Sequence, residues 1–216
     1  MSEARIRPYR EADREAVRRI CFDTGFMGES VSWQYGDLDS FADMFATWYV
    51  DHEPESAWVV DEDGAATGYL LGCSDSSRAA DPAAVLARHA LRRGLLLRRG
   101  TAGFVWRGAL DVARNLADLR VPVDLDEFPA HLHIDLLPRA RGRGFGRRLV
   151  QGWLDRLAEA GIGGVHLGTM AENTGAVAFF ATMGFEPVGA PLPAPGFRTR
   201  AGRPMRAQFM ARSVGR

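Results

Sequence analysis

The chain has 216 residues, of which 46% are hydrophobic, enough apolar surface for a buried core and too much for long intrinsic disorder. Its 27 basic and 27 acidic residues cancel, which argues against a general nucleic-acid binder that depends on a basic surplus. No run approaches the roughly 18 apolar residues a membrane span needs, and Met1 to Arg5 holds no apolar signal core, so a soluble, cytoplasmic protein with no membrane partner is expected.

Distribution says more than the total. Lysine is absent, and between Arg19 and Arg78 there is no arginine, while Asp23, Glu29, Asp37, Asp39, Asp43, Asp51, Glu53, Glu55, Asp61, Glu62, Asp63 and Asp75 all fall there. Arginine concentrates instead from Arg88 to Arg107 and from Arg139 to Arg148. One part of the surface is thus expected to attract cations and another anions. Cys21 and Cys73 sit in no CxxC pair and near no histidine at zinc spacing, so both read as buried thiols and no metal is expected.

In chain order, Ala4 to Pro8 reads as a short strand, followed by a helix from Glu11 to Thr24 with Ala12, Ala16, Val17, Ile20 and Cys21 at helical spacing. An aromatic, acidic stretch comes next, and the spacing from Phe41 through Trp48 predicts a second amphipathic helix. Ser56 to Val60 and Thr67 to Gly72 form a hairpin around an Asp-Gly turn. The Ala, Leu and Arg-rich stretch from Ser74 to Leu125 predicts two or three helices, inserted on one side. His131 to Leu137 is apolar on alternate positions and reads as a central strand. A glycine-arginine turn then enters a helix carrying Leu149, Val150, Trp153, Leu154 and Leu157, stopped by Gly161. Gly164 to Met170 is a strand, Asn173 to Thr182 a helix, Phe185 to Val188 a strand, and Met205 to Ala211 a last strand after a proline-rich loop. This alternation defines an α/β fold.

The turn Pro138-Arg139-Ala140-Arg141-Gly142-Arg143-Gly144-Phe145-Gly146-Arg147-Arg148 carries the chemistry. Glycines at 142, 144 and 146 remove Cβ atoms, so consecutive N–H groups can converge on an anion at the positive end of the following helix. Five arginines add mobile positive charge. No Gly-Lys-Ser/Thr follows, so this is no Walker loop, and the spacing is wrong for a dinucleotide fingerprint.

Arg141-x-x-Gly144-x-Gly146 resembles the acyl-CoA pyrophosphate loop of the GNAT N-acetyltransferase superfamily. Asn173 to Phe185, with Phe180 ahead of Gly184-Phe185, is similar to that family's second signature. The opening Ile6 to Gly25 and the hairpin Gly68 to Gly72 resemble, more narrowly, the acetyltransferase-like C-terminal domain of O-GlcNAcases and its free-standing bacterial relatives. The resemblance implies one domain over residues 1–216, with a helical insertion at 74–125. It also implies a mixed, mostly antiparallel sheet splayed between its fourth and fifth strands, with helices on both faces. Acetyl-CoA is the implied cosubstrate. Leu136 and Leu137 would pair with its pantetheine arm, and the backbone of Arg141, Gly142, Arg143, Gly144, Phe145, Gly146 and Arg147 would hold the pyrophosphate. Asn173 would contact pantetheine, and Phe179 or Phe180 would flank the thioester. Phe180 stands where the family often has the tyrosine that protonates the leaving thiolate.

Acetyl transfer to an amine needs a base. His131, His133 and Asp135 alternate along one strand and therefore share a face. Asp135 is the first choice and His133 the second; Glu172 is a third. Neither cysteine lies in a motif suited to an acyl-enzyme, so direct attack by a primary amine is expected. A non-catalytic acetyl-CoA binder is the alternative, favoured by Phe180, and the basic, leucine-rich insertion also reads as an interaction module. In the family's arrangement the first helical region walls the acceptor cleft, so the acidic block Asp23 to Asp63 implies a cationic acceptor, a small molecule or a lysine.

Overall fold

A computed structural model describes residues 4–215, apart from the side chain of residue 117. Met1 to Glu3, read above for a signal core, lie outside the described residues. The elements are β1 (Arg5–Pro8), α1 (Arg14–Thr24), α2 (Leu38–Phe45), α3 (Thr47–His52), β2 (Ala57–Glu62), β3 (Ala65–Cys73), α4 (Pro82–Arg92), α5 (Ala102–Asn115), β4 (Ala130–Leu136), α6 (Phe145–Glu159), β5 (Gly164–Met170), α7 (Thr174–Thr182), β6 (Glu186–Arg198) and β7 (Pro204–Ser213). No helix of the described residues is long and apolar enough to cross a membrane.

The strands form one seven-stranded sheet in the order β1-β2-β3-β4-β5-β7-β6. Only β4 and β5 run parallel, and they pair at just two positions, Ala130 with Val165 and His131 with His166. Both strands are seven residues long. Past His131 they therefore diverge, and the backbone of β4 out to Leu136 stays paired with β3 on one side while facing a gap on the other.

Alternation along each strand sends side chains to two cores. On one face α1 and α2 pack Val17, Ile20, Cys21 and Phe41 against Val59, Tyr69 and Leu71. On the other, α6 buries Leu149, Val150, Trp153, Leu154 and Leu157 with Leu70, Leu132 and Val165. The Trp153 ring lies where a Cβ on Gly72 would come within 2.7 Å of it, so the glycine of β3 is what admits the indole.

Two local expectations change. The predicted helix from Phe41 to Trp48 is two helices, because Ala46 leaves helical geometry at φ −131° between α2 and α3. The proline-rich stretch after Val188 is not a loop: Pro191, Pro193 and Pro195 lie in β6, whose pairing with β7 is interrupted after Val188 and after Pro193. β6 is an edge strand, where a missing N–H costs no ladder bond.

The 74–125 insertion, expected to hold two or three helices, holds two α-helices, α4 and α5, tied down by ion pairs from the segment between them and from α5. Arg93 and Arg98 reach the buried carboxylate of Asp37, the N-cap of α2, and Arg93 also meets Asp39 at 2.7 Å. Asp111 on α5 takes a two-pronged grip from Arg198 of β6, at 2.7 and 2.8 Å. Part of the expected negative charge is therefore met by arginine rather than left free. Asp39 and Asp43 also pair with Arg18, Asp43 with His89, Asp51 with Arg14, Asp61 with Arg7 and Glu62 with Arg143. Asp37, Asp39 and Asp43 of the acidic block and His89, Arg93 and Arg98 of the insertion are two halves of one internal contact.

Candidate active site

The divergence of β4 and β5 opens a cavity of about 560 Å³ that passes between the strands. Leu136, Gly146, Asn173, Ala176, Phe179 and Phe180 line it on the α6 and α7 side. Cys21, Thr24, Met27, Phe41, Phe45 and Phe197 line it on the side of α1 and α2, with His133, Asp135 and Leu167 between.

The glycine turn sits where the sequence placed it. Gly142 and Gly144 have φ of +69° and +78°, and Gly144 is the N-cap of α6 with no side chain capping the helix. The first-turn N–H groups of α6 are thus left for an incoming acceptor, at the positive end of the helix. Several of the arginines beside them are engaged by partners. Arg141 donates from Nε to the carbonyl of Leu136 at 2.8 Å and from Nη2 to that of Gly28 at 2.6 Å, strapping the loop after α1 to the end of β4. Arg143 pairs with Glu62 at 2.7 Å, and Arg148 lies 4.5 Å over the Phe145 ring. Phe145 itself is buried in the α6 core, so its backbone alone faces the turn. Arg147 turns its side chain to a separate hollow of about 710 Å³ lined also by Gln151, Thr182 and Arg212, which holds neither the glycine turn nor the carboxylate.

Asn173 is the N-cap of α7, its Oδ1 accepting from the N–H of Ala176 at 3.2 Å. Leu137 donates its N–H to Thr67 at 2.9 Å and packs with the α1-side core, which leaves Leu136 as the member of that pair on the cavity wall.

His131, His133 and Asp135 share a face as expected, yet only the last two reach the cavity. His131 is held by the Tyr49 hydroxyl and by Ser76, and burial beside His166 and His133 pulls its pKa down to about 3, which keeps it uncharged. His133 Nε2 stands 3.4 Å from Asp135 Oδ2, while its Nδ1 is buried and lacks a partner among the described residues. Tyr69, directly across from Asp135 in the β3–β4 register and fully buried, donates its hydroxyl to the same Oδ2 at 2.6 Å. Burial raises the Asp135 pKa, offset in part by His133 and the Tyr69 hydrogen bond. Glu172 lies outside the cavity lining and accepts from the Arg206 N–H.

Sequence spacing missed two members of this group. Cys21, Asp135 and one nitrogen of His133 present ligand-type atoms within 4.8 Å of one another, a cluster that only folding assembles. Burial also pushes the Cys21 thiol well above its usual range, so it stays protonated and is a poor nucleophile. Tyr69 was readable only as a hairpin residue; the antiparallel register of β3 on β4 is what makes it a partner of Asp135.

The fold thus brings together a parallel pair that opens into a cavity, an uncapped glycine turn at one mouth and a carboxylate-imidazole pair along its wall. The chain belongs to the GNAT family of acetyltransferases, whose family model matches residues 26–185. It is 34% identical to SsHAT, whose crystal structure superposes with a TM-score of 0.72 over 99% of this chain and 100% of that one. The fold is also similar to that of yncA, a putative acetyltransferase from Salmonella typhimurium solved with acetyl-CoA, at 18% identity, TM-score 0.57, and coverage of 98% of this chain and 94% of that one. Fifty residues are 50% identical to the mycothiol acetyltransferase of Nocardia farcinica, spanning 23% of this chain and only 16% of that protein.

Proposed function

We propose that this protein is an acetyl-CoA-dependent N-acetyltransferase that passes the acetyl group directly to a primary amine. The observation that carries the reading is the gap between β4 and β5, closed at one end by the uncapped N-terminus of α6 and floored by His133 and Asp135. The β4 edge at Leu136 pairs with the pantetheine arm, the N–H groups from Arg141 to Arg147 hold the pyrophosphate, and Asn173 and Phe180 flank the chain leading to the thioester. The whole chain works as one domain, its insertion at 74–125 bracing the acceptor side through Asp111 and Arg198. Two unpaired, buried thiols support a cytoplasmic setting.

His133, whose partly exposed ring lines the cavity, takes the proton of the bound ammonium, and Asp135, 3.4 Å from its Nε2, stabilises the imidazolium that results. This exchanges the order expected from sequence: His133 is the base and Asp135 its positioning partner. The freed amine forms the new C–N bond as the C–S bond breaks and the thiolate leaves with its electron pair. Protonation of that thiolate falls to the amine's second proton or to solvent, since Phe180 has no hydroxyl. A protonated Cys21 supports direct attack over an acetyl-cysteine.

The second reading, an acetyl-CoA binder without turnover, draws on Phe180. The narrower kinship with the acetyltransferase-like domain of O-GlcNAcases rests on Ile6 to Gly25 and Gly68 to Gly72, and it leaves both readings available. Calorimetry with acetyl-CoA tests the shared part: loss of binding in Gly144→Val is expected, and undiminished affinity would remove the phosphate-loop assignment.

A further inference from the structure

The acceptor side of the cavity has a chemistry of its own. Among the lining residues Asp135 is the sole carboxylate, and the one arginine, Arg141, is held by two carbonyls. None of the carboxylates from Asp37 to Glu62 lines the cavity. The wall toward α1 and α2 is largely apolar, with Met27, Phe41, Phe45, Met170 and Phe197 beside Cys21 and Thr24. Phe41 and Phe45 pack at a tilt with 4.9 Å between centroids, and Phe45 lies 6.5 Å from the ring of His133. Phe197 is propped edge-on by Phe104 of the insertion at 5.0 Å. An acceptor held here meets one anionic position at the floor and an aromatic, thioether-lined wall above it.

We propose that the acceptor is a monoamine whose single ammonium is carried on an aromatic or similarly bulky apolar body. The inference rests on the acetyltransferase reading and names its substrate class. A ring gains from phenylalanine edges and methionine sulfur. A second or third ammonium, as in a polyamine or aminoglycoside, is desolvated beside apolar side chains with no further carboxylate to meet it, and an amino sugar finds few side-chain partners for its several hydroxyls beyond Thr24 and Thr169.

The test is amine-dependent release of CoA by the full chain with acetyl-CoA and four probes: 2-phenylethylamine, spermidine, glucosamine and a lysine amide. The expected result is a kcat/KM for 2-phenylethylamine at least about tenfold above the others, the scale of 1.4 kcal/mol. Phe45→Ala is expected to raise its KM with acetyl-CoA affinity unchanged, and Phe45→Leu, which keeps more of the core volume, to raise it less. Preference for spermidine, glucosamine or the lysine amide, with acetyl-CoA still bound, overturns the proposal while leaving the acetyltransferase reading intact. If no amine is acetylated, calorimetry of each probe with the protein decides: tighter binding of 2-phenylethylamine, weakened in Asp135→Asn, supports the apolar-body site, and equal or tighter binding of spermidine overturns it.

Discussion

The hydroxyl of Tyr69 donates to Oδ2 of Asp135 across the β3–β4 register at 2.6 Å, from a ring with no solvent exposure. The bond favours the ionised carboxylate, which burial opposes. Tyr69→Phe removes that support. A lost hydrogen bond to a charged group is worth about 1.5–3 kcal/mol, so kcat is expected to fall about 10- to 100-fold. The acid limb of the pH–rate profile should move to higher pH, with acetyl-CoA affinity unchanged. An unmoved acid limb would mean that Tyr69 is only a packing residue.

Asp135→Asn separates stability from activity. A carboxyl whose folded pKa is raised carries no folding penalty below its unfolded value, near 3.8, and an increasing one as pH climbs through the folded value. The variant is expected to melt higher than the parent at pH 7, by roughly 2–4 °C per kcal/mol relieved. That gain should vanish below about pH 3.8, and turnover should fall at every pH. Thermal scans across this range check the sign; a lower melting point at neutral pH would contradict it.

Asp37 makes the opposite prediction. Burial alone would raise its pKa, but Ser40 and Arg93 outweigh it and hold the carboxyl below its usual range. Its stabilisation is therefore present above the unfolded pKa and lost as pH falls through the folded one. Asp37→Ala removes the α2 cap and leaves Arg93 and Arg98 without that partner, with an expected loss of about 3 kcal/mol by denaturant titration at pH 7. A loss under about 0.5 kcal/mol, the level of an ordinary surface change, would mean that the acidic block does not anchor the insertion.

Gly144→Val distinguishes ligand binding from folding. A Cβ at this position meets nothing within 4 Å, so in the free protein only the left-handed backbone at φ +78° resists it. The folding cost is about 1–2 kcal/mol, while the added branch occupies the approach to the N–H groups of α6. Calorimetry is expected to show a folded variant without acetyl-CoA affinity.

How much was readable in sequence follows from which forces are local. The bounds of β5, the stop of α6 at Gly161 and the glycine turn between β4 and α6 came from glycines and apolar periodicity, which act over a few residues. The alternate spacing that put His133 and Asp135 on one face is likewise a property of a single strand. What stayed hidden depends on partners far along the chain: Arg98 against Asp37, Tyr69 against Asp135, and Cys21 beside His133. A block of aspartates looks the same in sequence whether it meets solvent or buried arginines. The prolines of β6 misled because their tolerance depends on the edge position, which only the whole sheet assigns.

Steady-state release of CoA from acetyl-CoA, with and without a primary amine, tests the central claim most directly when run on the parent protein and on His133→Ala. Release is expected to require the amine, to appear with a stoichiometric N-acetylated product, and to drop about 100-fold or more in the variant. Bound acetyl-CoA that is never turned over, or amine-dependent release undiminished in His133→Ala, would contradict it.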